Sequence, residues 1–497
     1  MKPESLNPVK KGKTYKKPEK VSEEARGKSN RNILRLTYVF CALFICMAGY
    51  FAWFLQFKSE DVIGNSYNAR LDRFSDRIVR GDILSSDGRV LAETKVAEDG
   101  SETRVYPYEY LFVHSVGYSA ANGKTGLESL ANFYLLSSHV NLIEKIVNEL
   151  RNVKNIGDNV VTTLDLDLQK AASDALGNNR GAVIAMEPDT GKVLVMVSQP
   201  NFNANLVDEK WQELISPENT KAQLLNRATQ GLYPPGSTFK ILTVLEYMKE
   251  HPEDFQNFTF NCTGSYQAGE YTIKCYHGEA HGEQTLIQAF ANSCNGAFAE
   301  IGLQLDPGKF HALANQFLFN TELPVSLPYN KSSFNMNSGA DTWEMLQTSI
   351  GQGTTQITPM HNLLITAAIA NGGTLMKPYF IDHVENAGGQ TIKKFLPSAY
   401  GSLMSATDAG MLSELMKAVV EVGTGSAVRT GSYTVAGKTG SAEFETGKET
   451  HAWFVGYAPA ENPRIAVSVL VEEGGSGGKA AAPIARAVFD AYFAKEN

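Results

Sequence analysis

At 497 residues the chain is too long for one ordinary core, and at about 150 residues per domain it asks for two or three units. A composition of 43% hydrophobic and 20% charged residues excludes a chain that is disordered throughout. A formal charge of −8 argues against nucleic-acid binding as a general property, although the sign is uneven along the chain.

Residues 1–32 carry eight Lys and two Arg against four Glu, with almost no large apolar side chain. They read as a disordered, basic cytoplasmic tail that anionic lipid would attract. Leu36 to Phe57 then runs without one charged residue, so 33–57 is expected to cross a bilayer as a helix. The basic flank before it and Glu60-Asp61 after it put the N-terminus in the cytoplasm and the chain beyond Lys58 outside. The apolar run ends in Phe54-Leu55-Gln56-Phe57 without a small-x-small cleavage site, so the segment is read as an uncleaved signal anchor.

Beyond the anchor, residues 58–155 read as a small mixed pedestal module. Arg80 to Leu84, the turn Asp87-Gly88 and Val90-Leu91-Ala92 predict a hairpin. Tyr106 to Asn122 continues in strand-like residues, and Leu127 to Leu150 has helical spacing. A second unit, 156–497, is expected to open with a strand at Asn159 to Thr163 and a helix carrying Leu168, Ala172 and Leu176 on one face. Apolar strands follow at Gly181 to Glu187 and Lys192 to Ser198, joined by the turn Pro188-Asp189-Thr190-Gly191. From Trp211 past Ala370 the pattern is mainly helical. Three more strands, around Val435 to Lys438, Ala452 to Tyr457 and Ile465 to Val471, precede a closing helix at Ile484 to Phe493. Strands at both ends with helices between them predict one sheet built from both parts of the unit.

Three short stretches carry chemistry. In Tyr233-Pro234-Pro235-Gly236-Ser237-Thr238-Phe239-Lys240, the prolines and glycine make a stiff turn that delivers Ser237 to a helix start. Lys240 follows one turn on, where a desolvated amine can act as base toward the serine hydroxyl. Ser293-Cys294-Asn295 ends a helical run, and alternation lets Ser293 and Asn295 share a face while Cys294 turns away. A hydroxyl and an amide there suit proton relay and the holding of a peptide group. Gly437-Lys438-Thr439-Gly440-Ser441 lies on a predicted strand and offers a cation, hydroxyls and a glycine that lets another chain approach. Each stretch alone is commonplace: a capped helix, a turn, an edge strand with a protective lysine.

Together, and in this order, they match the Ser-x-x-Lys, Ser-x-Asn and Lys-Thr-Gly signature of serine penicillin-binding enzymes. Over nearly its whole length after the anchor the chain resembles the class B penicillin-binding proteins, and its short first module resembles the penicillin-binding protein A type of Gram-positive bacteria. Further pieces of that resemblance are Arg80-Gly81-Asp82, Gly126-Leu127-Glu128, Asn226-Arg227-Ala228, Gly351-Gln352-Gly353 and Gly423-Thr424-Gly425. The resemblance implies an α+β fold: a penicillin-binding transpeptidase domain of antiparallel sheet flanked by helices, plus a helical subdomain.

It also implies a peptidoglycan D,D-transpeptidase. Ser237, deprotonated by Lys240, would attack the D-Ala-D-Ala carbonyl of a stem peptide, with Ser293 and Lys438 passing the proton to the leaving amine. Asn295, Thr439, Gly440 and Ser441 would hold the substrate, and the backbone N–H groups of Ser237 and Ser441 would form the oxyanion hole. β-Lactams would acylate the same serine, and neither a metal nor another cofactor is called for. Expected partners are the membrane, stem peptides and a SEDS-type glycan polymerase, with no nucleic acid. A membrane-anchored carboxypeptidase, a class D-like β-lactamase, and a non-catalytic sensor or scaffold share parts of this pattern.

Of the five cysteines, Cys41 and Cys46 lie in the anchor. Cys262 and Cys275 are candidates for a disulfide. Nearby His277 and His281 suggest a zinc site as a second reading, although no CxxC spacing supports it. Two unpaired thiols are a third.

Overall fold

The computed structural model describes residues 23–57, 77–151, 153–445 and 447–495. The chain divides into two units, Met1–Asn65 and Ser66–Asn497. In the first, one helix spans Glu23–Phe57, and its stretch Asn30–Phe54 is long and apolar enough to cross a membrane. At 1.5 Å per residue such a stretch exceeds the roughly 30 Å hydrocarbon core. The expected disordered tail lies outside the described residues up to residue 22. From Glu23 the chain is already helical, so the helix starts before the apolar run.

Two sheets organise the second unit. A six-stranded sheet runs in the order Thr391–Lys394, Ile381–Glu385, Asn159–Thr162, Ile83–Leu84, Val90–Val96, Glu102–Val105. The predicted hairpin is present: Ile83 pairs with Ala92, and Gly88 turns the chain at φ +81°. Asn159–Thr162 belongs to this sheet, parallel to Ile83–Leu84 and antiparallel to Ile381–Glu385, instead of opening the sheet of the following unit. Its buried Val160 and Val161 suit either sheet, and only tertiary pairing decides. Tyr106 to Asn122 is mostly turn rather than strand, and the helical region after it is broken into Gly126–Leu130, Asn132–Leu135 and Leu142–Leu150.

A buried ionic cluster ties this region together. Glu128 accepts from Arg80 Nε and Arg104 Nε, both at 2.7 Å, and from the Tyr106 hydroxyl at 3.2 Å. Arg80 also donates to the Glu128 and Asn132 oxygens, and Arg104 to the Gly81 carbonyl at 2.8 Å. Burial pushes the Glu128 carboxyl up, but the charges of Arg104 and Arg80 outweigh it and hold the group down at about 2.

The second sheet has five antiparallel strands in the order Val193–Gln199, Gly181–Met186, Ile465–Val471, His451–Ala458, Ala436–Ala442. Its central strands are buried along their whole length, which matches their unbroken apolar runs. Helices Leu166–Leu176 and Gly477–Ala494 share a core with one face through Leu168, Leu176, Val488 and Phe489. Helix Pro359–Ala370 packs on the sheet from the other core, with Leu363 and Leu364 fully buried. One sheet therefore joins residues from both ends of the unit, as the sequence predicts. The region between is less purely helical than expected, because Thr259–Cys262 pairs with Gly282–Thr285 and Ser265–Ala268 with Tyr271–Lys274.

Candidate active site

The turn before Ser237 is held from three sides. Tyr233 exchanges backbone hydrogen bonds with Ile357 at 3.1 and 2.8 Å, Trp453 Nε1 donates to the Pro234 carbonyl at 3.0 Å, and Gly236 N donates to the Gly351 carbonyl at 2.9 Å. Gly351 sits at φ +78°, and a Cβ there would stand 1.9 Å from the Gly236 oxygen, so no side chain fits. Gly236–Phe239 forms a 3-10 turn that feeds helix Lys240–Glu250, and Ser237 is the second residue of that turn. Thr238 Oγ1 caps back to the Pro235 carbonyl at 2.8 Å and accepts from Asn362 Nδ2 at 3.1 Å.

Helix Leu286–Ala291 ends just before Ser293, whose φ is +55°, and helix Asn295–Gln304 begins at once with Cys294 as its cap. Lys240 Nζ donates to the Ser293 carbonyl at 2.7 Å, to Asn295 Oδ1 at 2.7 Å and to Ser293 Oγ at 3.4 Å. Lys438 Nζ reaches the same Ser293 Oγ at 2.9 Å and the Thr439 carbonyl at 3.0 Å. Three motifs far apart in sequence thus meet on one hydroxyl. The expected Ser237–Lys240 hydrogen bond is not formed among the described residues. An ammonium has three donors, and here the oxygens of the second motif take them.

Both lysines are fully buried. Burial lowers the Lys240 amine to about 8, and burial together with the charge of Lys240 holds Lys438 well below its ordinary value. The third motif lies on Ala436–Ala442, the edge strand of the five-stranded sheet. Gly440 lets this strand approach the turn that carries Ser237: a Cβ there would lie 3.2 Å from the Pro235 carbonyl oxygen. Ser441 Oγ accepts from Gly477 N at 3.4 Å, at the start of the closing helix.

Sequence reasoning misses two supports. Thr424 Oγ1 lies 2.6 Å from Thr439 Oγ1 and shares a hydrogen bond with it. The signal was the stretch Gly423-Thr424-Gly425, but nothing local says that it reaches the third motif. Cys294 also does more than turn away, because it points into the fold beside Cys275, with Sγ atoms 3.8 Å apart. Cys262 and Cys275 stand 3.6 Å apart as free thiols, so the disulfide is not formed.

This geometry can activate a serine, relay a proton through a second hydroxyl, and present an open strand edge to an extended substrate. Residues 181–490 match the penicillin binding protein transpeptidase domain, and residues 80–160 the penicillin binding protein A dimerisation domain. The chain belongs to the penicillin-binding transpeptidase family. Among similar members is the peptidoglycan D,D-transpeptidase PbpA of Mycolicibacterium smegmatis, 33% identical over 88% of this chain and 93% of that protein. The peptidoglycan D,D-transpeptidase MrdA of Acinetobacter baumannii is 30% identical over 88% of this chain and 74% of its own length. Penicillin-binding protein A of Mycobacterium tuberculosis, solved as a ceftriaxone acyl-enzyme complex, superposes with a TM-score of 0.77 at 30% identity. That match covers 85% of this chain and 99% of the other. The fold expected from the resemblance, a penicillin-binding transpeptidase of mixed helix and sheet, is the fold observed.

Proposed function

We propose that this penicillin-binding protein is a peptidoglycan D,D-transpeptidase acting through an acyl-enzyme on Ser237. The observation that carries the reading is the convergence of Lys240 and Lys438 on Ser293 Oγ, at 3.4 and 2.9 Å, next to the nucleophile turn. Neutral Lys240 takes the Ser237 proton as Oγ attacks the penultimate D-Ala carbonyl. Backbone N–H groups of Ser237 and Ser441 stabilise the oxyanion. The leaving D-Ala amine receives its proton through Ser293, whose Oγ is hydrogen-bonded to Lys438 Nζ at 2.9 Å. Asn295 positions the substrate amide. Thr439 and Ser441 bind the terminal carboxylate, and Gly440 leaves room for the peptide to lie along the strand edge. The amine of a second stem peptide then takes the acyl group.

The assignment of 33–57 as anchor, 58–155 as pedestal and 156–497 as catalytic domain belongs to the same reading. It places the N-terminus in the cytoplasm on the basic flank, and the catalytic unit outside. A SEDS-type glycan polymerase is the expected partner, on the family resemblance.

The test is intact-mass analysis of the full-length protein after incubation with benzylpenicillin, followed by peptide mapping. One adduct that persists for hours on the peptide containing Ser237 is expected. Fast loss of the adduct with turnover of the drug would move the assignment to a β-lactamase, and no adduct would leave a non-catalytic scaffold.

The lysine chemistry sets a pH profile. Below about 8 Lys240 is protonated and cannot accept the serine proton, so the acylation rate should rise as pH increases through about 8. Stopped-flow acylation with a fluorescent penicillin reads this directly, and a flat profile would remove Lys240 from the role of base.

A further inference from the structure

Three thiols and one imidazole close around a common point beside the second motif. Cys262 ends the strand Thr259–Cys262, Cys275 follows Tyr271–Lys274, His281 precedes Gly282–Thr285, and Cys294 caps helix Asn295–Gln304. The separations are 3.6 Å for Cys262 Sγ to Cys275 Sγ, 3.8 Å for Cys275 Sγ to Cys294 Sγ, and 3.3 Å for Cys262 Sγ to His281 Nδ1. All four donor atoms lie within 4.8 Å of one another, and the cysteines are buried while His281 is partly exposed.

These spacings discriminate between the possible fates of the thiols. A disulfide needs sulfurs about 2.05 Å apart. Uncoordinated thiols need no fourth polar partner at a shared focus. A tetrahedral zinc with Zn–S about 2.3 Å and Zn–N about 2.0–2.1 Å has edges of about 3.8 Å between sulfurs and about 3.6 Å from sulfur to nitrogen. The observed edges sit close to those values. The four residues come from a small antiparallel region and a helix start, with no CxxC pair, which is why spacing in sequence hid the set.

We propose that Cys262, Cys275, His281 and Cys294 form a structural zinc site that positions the Ser293–Asn295 segment. Binding would release the three thiol protons to solvent and leave a neutral imidazole on the metal, so the closed site would carry one net negative charge. Cys294 is the middle residue of the motif, so the metal would fix its backbone directly. Ser293 needs such a fixture, because it stands at φ +55°, where a non-glycine residue is held only by its surroundings. Asn295 is tied to the same region, as its Nδ2 donates to the carbonyl of Lys274, the neighbour of Cys275, at 2.9 Å. The metal touches no reacting atom. It would act by holding Ser293 Oγ under Lys438 and Asn295 Oδ1 under Lys240.

The site stands on its own geometry, whereas its effect on acylation rests on the function proposed above, so the two are tested by separate readouts. Full-length protein purified in detergent without chelator is assayed by elemental mass spectrometry, and one zinc per chain is expected. Replacement by cobalt should give the intense visible absorption of a tetrahedral thiolate site, a readout that needs no variant. His281→Ala should lose the metal, whereas His277→Ala should keep it. Stripping zinc with a chelator should slow penicillin acylation about tenfold, and zinc alone should restore it. The proposal is overturned by a Cys262–Cys275 disulfide on mapping, or by reactive thiols in a metal-free protein that neither zinc nor cobalt protects. Full metal occupancy with acylation unchanged on stripping would overturn the positioning role.

Discussion

Ser237→Ala is expected to abolish covalent capture of penicillin, with no adduct in the intact mass after hours of incubation. The serine oxygen is the only atom that the proposed chemistry asks to become an ester, and the other hydroxyl of the same turn, Thr238, is engaged by the Pro235 carbonyl and Asn362. No side-chain cap or hydrogen bond holds that oxygen among the described residues, so the variant should fold with stability within about 0.5 kcal/mol of the parent. The companion change, Lys240→Met, keeps the volume and removes the base. It should slow acylation by about 10²–10⁴-fold, the usual worth of a positioned proton acceptor. A Ser237→Ala protein that still carries the drug would place the nucleophile elsewhere. A Lys240→Met protein with unchanged rate would assign the base to Lys438 alone.

The second large effect concerns stability. Glu128→Gln is nearly isosteric but leaves Arg80 and Arg104 buried without a counter-charge. Breaking a buried ion pair from one side costs about 3–5 kcal/mol, because a desolvated charge is left behind. Thermal unfolding followed by intrinsic fluorescence should show this loss. The exposed pair of Lys495 with Asp165 is the control, and Lys495→Met should cost less than about 1 kcal/mol. The pH dependence has a definite sign. The folded-state pKa of Glu128 is depressed, so its contribution is intact above the ordinary value of 4.5 and is lost as pH falls toward about 2. A Glu128→Gln protein as stable as the parent at neutral pH would show that the cluster is neutral to stability.

The parts of the site that were legible in sequence are those whose chemistry is local. Two prolines and a glycine announce the turn before Ser237, and Lys438-Thr439-Gly440-Ser441 sits among apolar residues that suit a strand. What stayed hidden depends on which distant segments meet. Lys240 was expected to bond Ser237, yet its donors go to Ser293 and Asn295, a choice made by the packing of two helices. The bond between Thr424 and Thr439 spans separate elements, and no periodicity encodes it. Cys294 was read as facing away from the motif, which is right, but the thing it faces is assembled from three other stretches. At the level of fold, Asn159–Thr162 reads as a strand from its β-branched residues, while its choice of sheet is set by Ile83 and Ile381. The short strands between Thr259 and Thr285 carry too few residues to separate alternation from helical spacing.

The five-stranded sheet has a consequence for the order in which the enzyme comes into being. Gly181–Met186 has Ile465–Val471 as its neighbour, and the edge strand with Lys438 joins only through His451–Ala458. A ribosome delivers the nucleophile turn long before it delivers these partners, and such distant pairings close late. A growing chain, or one clipped before Ile465, therefore holds Ser237 and Lys438 without the strand that joins His451–Ala458 to Gly181–Met186. Covalent capture of a drug is therefore expected only from chains that have acquired Ile465–Val471, so the finished sheet itself would act as the check on completeness.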